Sequence, residues 1–508
     1  MPTDAKFTLL QEYNALDCCV TRQIFDALSP QLNPAEGKNY SLRAKTYNLS
    51  RALQAPALEM MLRGFTIDTS KVSTIRDTLI GELNDLKSLF SFLYESLIGS
   101  PPDPKFFNSP TQLKTFLCSR LGATPITLSF KGVKRETMNR EALEKLKENE
   151  PDLTPIISII LSIRDRLKDL STLKTGIDAD KRIRSSFVVA GTKTGRWASR
   201  KSAWHSGTNL QNITEHLRKI FISDPEYKLC NIDLEQADSR NVALEVYKAT
   251  GDDSYFRACI DSDLHTTVAK MVWPELAWTD DALANKKLAE TPFYRHYDYR
   301  FMCKKLGHGS NYLGKPWTLA RQSKIEVKIA EEFQDRYFSA FPGIPKWHRI
   351  RIAQLQQYGT LTSLHGRVRQ FHGRLTDDAT AREAIAFLGQ SPTADSINLA
   401  ILALWSSSLL IHLLAQVHDS IVFQYPISEE AEILPRAMEL MSIPITATYN
   451  DKSITHAIPC EAKIGWNWGN FSTTNPDGLI KWRGNDNRIK SKVPTKKSIM
   501  DTKLSDLY

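Results

Sequence analysis

The pattern of apolar and polar residues predicts a tight hairpin near the end of the chain and a strand followed by a helix near its middle. Two apolar, β-prone runs within Leu413–Tyr425 meet around Asp419, which is typical of a hairpin with an aspartate at its tip. A short apolar run from Cys230 ends at Asp233, and an amphipathic segment follows it. Asp233 therefore stands either at a strand end, where it could bind a metal, or at the N-cap of a helix.

Longer periodic stretches predict helices on both sides of that strand. The stretches Lys71–Leu97 and Thr154–Thr175 have helical periodicity and indicate a pair of long helices. The stretch Ile397–Val417 is almost long and apolar enough for a membrane span, but polar residues such as Asn398 and Gln416 interrupt it. We therefore expect a buried helix that leads into the hairpin, and no membrane association.

Four residues spaced by four positions predict a ligand-binding helix. Arg300, Lys304, His308 and Tyr312 share an i, i+4 register, which places them along one slowly drifting face of a helix. Two cations and aromatic rings on one face suit a ligand with several phosphate groups.

Composition narrows the class of protein without defining its ligand. The chain has 508 residues, 42% of them hydrophobic and 24% charged, so several subdomains are expected and disorder is not. A net charge of +9 and a pI near 9.0 favour a polyanionic partner, although many basic proteins bind none. Seven cysteines without a Cys-x-x-Cys pair, and an N-terminus without a signal pattern, predict a cytoplasmic protein that is not secreted.

Taken in order, these elements resemble the motifs of family A DNA polymerases, the class of bacterial DNA polymerase I and many phage replicases. Asp233 resembles the motif A aspartate, the helix from Arg300 to Tyr312 resembles motif B, and Asp419 resembles the motif C aspartate. Further segments that match the family's order and spacing are Thr194–Arg196, Asn209–Ile213, Leu364–Arg367, Arg382 and Gln390. The resemblance runs from about residue 53 to residue 470.

The resemblance implies an α/β (α+β) right-hand fold, in which an antiparallel palm sheet lies between largely helical fingers and thumb subdomains. It implies a remnant of a 3′–5′ exonuclease domain in residues 1–50, and the start of the palm with a helical thumb in 51–175. The palm would comprise residues 176–250 and 396–473, the fingers 251–395, and a basic tail 474–508.

The same resemblance implies a DNA-directed DNA polymerase that binds primer–template DNA and dNTPs and uses two Mg²⁺ ions, which Mn²⁺ can replace. The implied metal ligands are Asp233, Asp419 and the carbonyl of Leu234, with Lys304 as a further catalytic residue. The implied nucleotide-binding residues are Arg300, Lys304, His308, Tyr312, His265, Gln236 and Asp238. The implied DNA-binding residues are Arg196, Asn209, Gln211, Asn212, Arg240, Arg382, Gln390 and His418.

The two ends of the chain carry weaker patterns. Tyr13 and Asp17 resemble the last exonuclease motif, but the acidic pair of the earlier motifs is absent before the polymerase region. We therefore expect no proofreading from this chain alone, and a separate exonuclease polypeptide that docks on the N-terminal segment; an ordinary helix with a solvated Asp17 is the alternative. The basic residues after position 474 predict either a flexible end or a DNA contact.

Several positions depart from the family pattern around the sugar and the primer end. Asp238 stands where the family has glutamate, His308 where it has Phe or Tyr, and Ser420 where it has glutamate, while Leu313 precedes the glycine of motif B. We expect weaker exclusion of ribonucleotides as a result. A single-subunit RNA polymerase and a non-enzymatic DNA-binding protein with the same fold are the alternatives; Gln236 beside the acidic residue 238 favours a DNA polymerase.

Overall fold

The computed structural model describes residues 4–32, 42–130, 133–202, 206–260, 263–294 and 297–484. The predicted basic tail from residue 485 onward and residues 33–41 of the predicted exonuclease remnant lie outside these ranges. Within the described ranges, no helix combines the length and the apolar character that a membrane crossing requires.

The N-terminal part of the molecule is mainly helical. Its helices are α1 (Asp4–Leu32), α2 (Leu42–Ala52), α3 (Gln54–Arg63), α4 (Thr69–Ile98), α5 (Pro110–Lys114), α6 (Arg140–Asn149) and α7 (Thr154–Leu173). The two predicted long helices are confirmed as α4 and α7, which pack against each other. Helix α4 begins where the Asp68 carboxylate accepts a 3.0 Å hydrogen bond from the Lys71 amide. It ends where Gly99 adopts a φ of +81°, which glycine takes without strain.

Short antiparallel strands accompany these helices and lead towards the palm. They are β1 (Phe65–Ile67), β2 (Thr127–Phe130), β3 (Val133–Glu136), β4 (Arg182–Ile183), β5 (Ser185–Val188), β6 (Ala198–Lys201) and β7 (Phe221–Ile222). Strands β4, β1 and β7 form one small sheet, and β2–β3 and β5–β6 form two hairpins.

The segment after the central strand β8 (Tyr227–Leu234) and helix α8 (Ala237–Thr250) forms the predicted fingers region. Its helices are α9 (Ser254–Ile260), α10 (Leu264–Val272), α11 (Ala282–Ala289), α12 (Tyr299–Met302), α13 (His308–Asn311), α14 (Pro316–Ser323), α15 (Val327–Ala340) and α16 (Gly343–Tyr358). Its strands are β9 (Pro292–Tyr294), β10 (Tyr297–Asp298), β11 (Thr360–Thr362) and β12 (Val368–Gln370). The buried Asn311 side chain joins α13 to its neighbours through 2.9 Å hydrogen bonds with the Tyr255 and Tyr337 hydroxyls.

The last part of the chain completes the palm. Its elements are α17 (Asp378–Trp405), β13 (His412–Val417), β14 (Ser420–Pro426), α18 (Glu430–Met441), β15 (Pro444–Tyr449), β16 (Lys452–Ala457), β17 (Cys460–Gly465) and β18 (Ile480–Lys481). The predicted buried helix is confirmed as α17, although it ends at Trp405, before the strand. The palm sheet has the order β13-β14-β8-β17-β18, and every pairing in it is antiparallel. Strand β8 is therefore central, and Asp233 lies near its end.

The palm sheet ends in β13 on one side and in the two-residue strand β18 on the other. On one edge, α3 packs against β13, and Arg63 donates a 3.3 Å hydrogen bond to the Leu413 carbonyl. On the other edge, β18 pairs with β17, and the Lys481 ammonium lies 2.5 Å from the Glu461 carboxylate. The sheet thus extends beyond residue 473, where we expected the palm to end, because the following segment folds back onto β17.

Candidate active site

The two aspartates predicted to bind metal lie side by side because backbone pairing places them there. Asp233 is near the end of β8, and Asp419 lies in the tight turn between β13 and β14. Ser420 pairs with Asp233 across the sheet, and the Leu234 amide donates a 3.1 Å hydrogen bond to the Asp419 carbonyl. His418 has a φ of +54°, as a tight hairpin turn requires. The predicted hairpin is confirmed.

Asp233 does not cap the helix that follows it. Helix α8 begins at Ala237, and its N-cap residue is Gln236, in a left-handed conformation with a φ of +55°. The interpretation of Asp233 as an N-cap is therefore wrong, and its carboxylate is free to face the cleft.

Both carboxylates ionise less readily than usual. Burial in the cleft and the neighbouring Asp419 carboxylate raise the pKa of Asp233 to about 6, although one side of Asp233 is open to solvent. Burial and the Asp238 carboxylate raise the pKa of Asp419, against the opposing effect of Arg196. A divalent cation would relieve this clustering of negative charge, so the pair fits such an ion.

The composition of the pair also fits magnesium. No group of three or more His, Cys, Asp or Glu side chains converges as a metal site in the described part of the chain. Mg²⁺ is commonly held by one or two carboxylates, with water and substrate phosphates as its other ligands. Asp233 and Asp419 supply that number of carboxylates.

Arg196 lies between the Asp419 carboxylate of the hairpin and the Asp238 carboxylate at the start of α8. Its Nη2 atom lies 3.3 Å from the Asp419 carboxylate and 3.7 Å from the Asp238 carboxylate. Its Nε atom is buried and has no hydrogen-bond partner in the described residues. The Arg196 charge thus offsets both carboxylates.

Two further residues predicted to bind DNA are attached to the hairpin. Gln211 donates a 3.1 Å hydrogen bond to the Gln416 side chain, and Gln416 donates a 2.5 Å hydrogen bond to the His418 carbonyl. Asn209 accepts a 3.1 Å hydrogen bond from the Gln211 amide and so begins this turn. Asn212 is exposed next to them. Gln211 and His418 are therefore close enough to contact one ligand.

The remaining DNA-binding candidates separate into two groups. Arg382 and Gln390 both lie on α17, where Arg382 is exposed and Gln390 is half-buried. Arg240 is only 5% exposed, and its guanidinium contacts the Glu235 carbonyl and the His456 ring, both at 3.1 Å. The structure corrects the expectation for Arg240, which stabilises the turn after β8 and is not available for a direct DNA contact.

The predicted fingers helix has a wide turn in its middle. A π-helical turn, Cys303–Gly307, separates α12 from α13. Because a π-turn contains more residues than the 3.6 of an α-turn, residues four apart stay closer to one face of the helix. Lys304 is exposed, and the rings of His308 and Tyr312 meet edge to face at 4.9 Å.

Arg300 is held by an acidic residue on the neighbouring helix. Its Nε and Nη2 atoms donate hydrogen bonds of 2.8 Å and 3.2 Å to the Asp263 carboxylate, which also begins α10. Burial would raise the pKa of Asp263, but the bonds from Arg300 and Thr266 outweigh it and lower the pKa. Burial and the Arg300 charge lower the pKa of His265 to about 4, so His265 is neutral near pH 7.

A cavity of about 600 Å³ joins the palm residues to the fingers residues. The predicted site residues that line it are Leu234, Gln236, Asp238, His265, Lys304, His308 and Asp419. Asp233, Arg300 and Tyr312 do not line this cavity, although each contacts or adjoins a residue that does. Residues more than 180 positions apart in sequence are thus assembled around one space.

Comparison with known protein families matches residues 101–470 to the model of DNA polymerase family A. The chain belongs to this family. Its relatives include a thermostable DNA polymerase I of Thermus filiformis, 27% identical over 82% of this chain, and a DNA polymerase I of Chloroflexus aurantiacus, 26% identical over 91% of it. These alignments cover 47% and 46% of the two relatives, so this family A chain spans just under half of their length.

A solved structure supports the fold of this family A chain. The polymerase domain of Pol1 from M. smegmatis, in complex with DNA primer-template and dNTP, superimposes with a TM-score of 0.64 at 23% identity. The match covers 82% of this chain and 69% of the M. smegmatis chain. The predicted polymerase fold is therefore confirmed.

Sequence reasoning missed two residues of α17 that contact residues predicted to bind the nucleotide in this family A chain. Thr393 bonds to Asp238, and Gly389 lies against Tyr312. Their closeness in sequence to Gln390 was the one available signal.

Proposed function

We propose that this chain catalyses template-directed DNA synthesis, in which dNTPs are added to the 3′-hydroxyl of a primer. The observation that carries the proposal is the pairing of Ser420 with Asp233, which sets Asp233 beside Asp419, and Asp419 lines the same cavity as Lys304. Membership of DNA polymerase family A supports the same reaction.

Asp233, Asp419 and the carbonyl of Leu234 would hold two divalent ions, Mg²⁺ or Mn²⁺. When bound, such ions make the primer hydroxyl nucleophilic and stabilise charge on the attacking and leaving oxygens. The backbone hydrogen bonds between β8 and the hairpin hold Asp233 and Asp419 next to each other in the chain itself.

The fingers residues would bind the triphosphate. Arg300 would exchange the Asp263 carboxylate for the outer phosphates, since a guanidinium binds either group in the same two-pronged way. Lys304 would neutralise the leaving pyrophosphate and can donate a proton to it. Neutral His265 would donate a hydrogen bond without adding charge. The base and sugar would lie against His308, Tyr312, Gln236 and Asp238.

The primer–template would occupy the side of the palm where the remaining predicted residues lie. Minor-groove acceptors occur in every base pair, so contacts with them test duplex geometry and not sequence. The residues proposed for these contacts are Arg196, Asn209, Gln211, Asn212, Arg382, Gln390 and His418.

Primer extension tests this function and separates it from RNA synthesis. The purified chain is given a primer–template with dNTPs or with rNTPs, and with Mg²⁺, Mn²⁺ or a chelator. We expect extension with dNTPs that requires either ion. Preference for rNTPs would identify an RNA polymerase, and lack of extension with both ions would contradict the proposal.

The exposed surface of the N-terminal helix α1 bears on whether this chain can proofread. Helix α1 exposes a series of large apolar side chains, among them Leu9, Leu16 and Leu28, each at least 50% exposed, and exposed apolar surface of this kind is typical of protein interfaces. Tyr13 and Asp17 lie on the same exposed helix. This exposure supports docking of a separate polypeptide that carries the missing exonuclease carboxylates, with no proofreading by these 508 residues alone.

A mismatched primer tests the proofreading proposal. The chain is incubated with Mg²⁺ and a primer that ends in a mismatch, and we expect the mismatch to persist. Removal of the mismatch by the chain, lost in Asp17→Ala, would show that residues 1–50 complete a nuclease site.

A further inference from the structure

The carboxylate of Asp238 is held by a buried threonine on α17. The Thr393 hydroxyl donates a 2.7 Å hydrogen bond to Asp238 Oδ1 and accepts a 2.9 Å hydrogen bond from Asn241 Nδ2. The side chains of Thr393 and Asn241 have no solvent exposure. Since a hydroxyl has one proton to donate, Thr393 is committed to Asp238.

Tyr312 lies at the other side of the predicted sugar site. Its contacts with α17 are different from those of Asp238. Its hydroxyl is buried and has no hydrogen-bond partner in the described residues. It lies directly on the backbone of α17, since a Cβ atom added at Gly389 would be 2.4 Å from this hydroxyl. Gly389 and Thr393 are four residues apart on one face of α17. Asp238 and Tyr312 therefore contact this helix one turn apart, and no hydrogen bond joins them.

This arrangement leaves Thr393 as the main fixed anchor of Asp238. A cation, Arg196, lies 3.7 Å from this carboxylate, but the same Nη2 atom is nearer to Asp419, at 3.3 Å. Asp238 lines the cavity, where a fixed carboxylate cannot move aside for an additional hydroxyl. A carboxylate without its anchor could rotate away and admit one.

We propose that Thr393 is a positioning residue that determines sugar selectivity, by holding the Asp238 carboxylate in the place where the nucleotide's 2′ position would lie. This inference rests on the proposed function, because it assumes that a nucleoside triphosphate occupies the cavity. It assigns to α17 a role in substrate choice in addition to the DNA contacts proposed for Arg382 and Gln390.

The test measures nucleotide affinity without chemistry. A primer that ends in a dideoxynucleotide is bound with its template, and the dissociation constants of one dNTP and of the matching rNTP are measured by fluorescence. Thr393→Val keeps the side-chain shape and removes the hydroxyl, and we expect it to lower the selectivity for the dNTP by about tenfold, since hydrogen bonds to charged groups are of that strength. Thr393→Ser retains a hydroxyl and should restore selectivity.

A double-mutant cycle shows whether Thr393 acts through Asp238. In an Asp238→Ala background, Thr393→Val should not further change the ratio of the rNTP and dNTP dissociation constants. An unchanged ratio in Thr393→Val, or an equal change with and without Asp238, would overturn the inference. If the valine variant does not fold, Thr393→Ala serves in its place, with the same outcomes. Failure of the wild-type chain to extend an ordinary primer would contradict the proposed function alone, because the affinity ratio is read without extension.

Discussion

The hairpin end and the fingers end of the candidate site position their charged groups in different ways. At the hairpin end, Asp233 and Asp419 are adjacent because of the register of three backbone strands. At the fingers end, Arg300 is positioned by a side-chain ion pair with Asp263. Backbone register persists whatever ligand is present, whereas an ion pair can be exchanged for a phosphate. The difference indicates that the proposed metal ligands form a fixed part of the site and the proposed phosphate ligand Arg300 an exchangeable part.

The largest expected effect comes from removing one of the two aspartates proposed to bind metal. Asp233→Ala and Asp419→Ala should each reduce primer extension by several orders of magnitude, because a two-ion site contributes several kcal/mol to transition-state stabilisation. DNA binding, measured by fluorescence anisotropy, should persist in both variants.

Glu461→Gln provides the matched control. Glu461 is the neighbour of Asp233 on the opposite strand β17, but its carboxylate is paired with Lys481. We expect this variant to remain active. If extension is lost in Glu461→Gln, or survives in Asp233→Ala, two fixed carboxylates are not the basis of the reaction.

Substitutions of the fingers residues Lys304 and Arg300 should have smaller effects. Each should change a different kinetic constant. Lys304→Ala should lower kcat by about a hundredfold, as expected when a general acid is lost. Arg300→Ala should mainly raise the KM for dNTPs, because it removes binding shared by substrate and transition state. Lys324→Ala is the control, since the Lys324 ammonium pairs with Glu148 at 2.8 Å and does not line the cavity. Single-turnover kinetics with the two effects interchanged would reject these roles.

A smaller effect is expected at the sugar end. Asp238→Glu should increase discrimination against rNTPs, because the longer side chain leaves less space beside the sugar. One methylene typically separates competing substrates by about 1–3 kcal/mol. The ratio of kcat/KM for a dNTP and its rNTP measures the change, and an unaltered ratio would show that side-chain length at position 238 does not control selectivity.

The smallest expected effect is on the thermal stability of the metal-free protein. Because the pKa of Asp233 is raised to about 6 in the folded chain, the ionised carboxylate destabilises the fold above that pH, and this cost disappears as the pH falls below the unfolded value of about 4. In the presence of a chelator, Asp233→Asn should therefore raise the melting temperature slightly at pH 8 and not at pH 4. A lower melting temperature at pH 8 would mean that Asp233 stabilises the fold.

The sequence predicted those features that depend on local pattern. The strand that ends near Asp233 and the hairpin at Asp419 follow from apolar runs and turn residues. The bond between Thr393 and Asp238 spans 155 positions, and no local pattern encodes it. The burial of Arg240 beside His456 is likewise a tertiary effect. Of the residues predicted to contact DNA, Arg240 alone is buried in the structure, and the others are exposed or half-buried.

Strand β18 has a practical meaning for anyone who shortens this protein. An uncovered sheet edge offers a row of unpaired amides and carbonyls, which another chain can use as a template for aggregation. Residues Ile480–Lys481 cover β17, the strand that lies next to Asp233's own. Removal of the segment after Asn470 would open this edge one strand away from Asp233, a proposed metal ligand. Solubility and activity would then be lost together, even though no active-site residue had been touched.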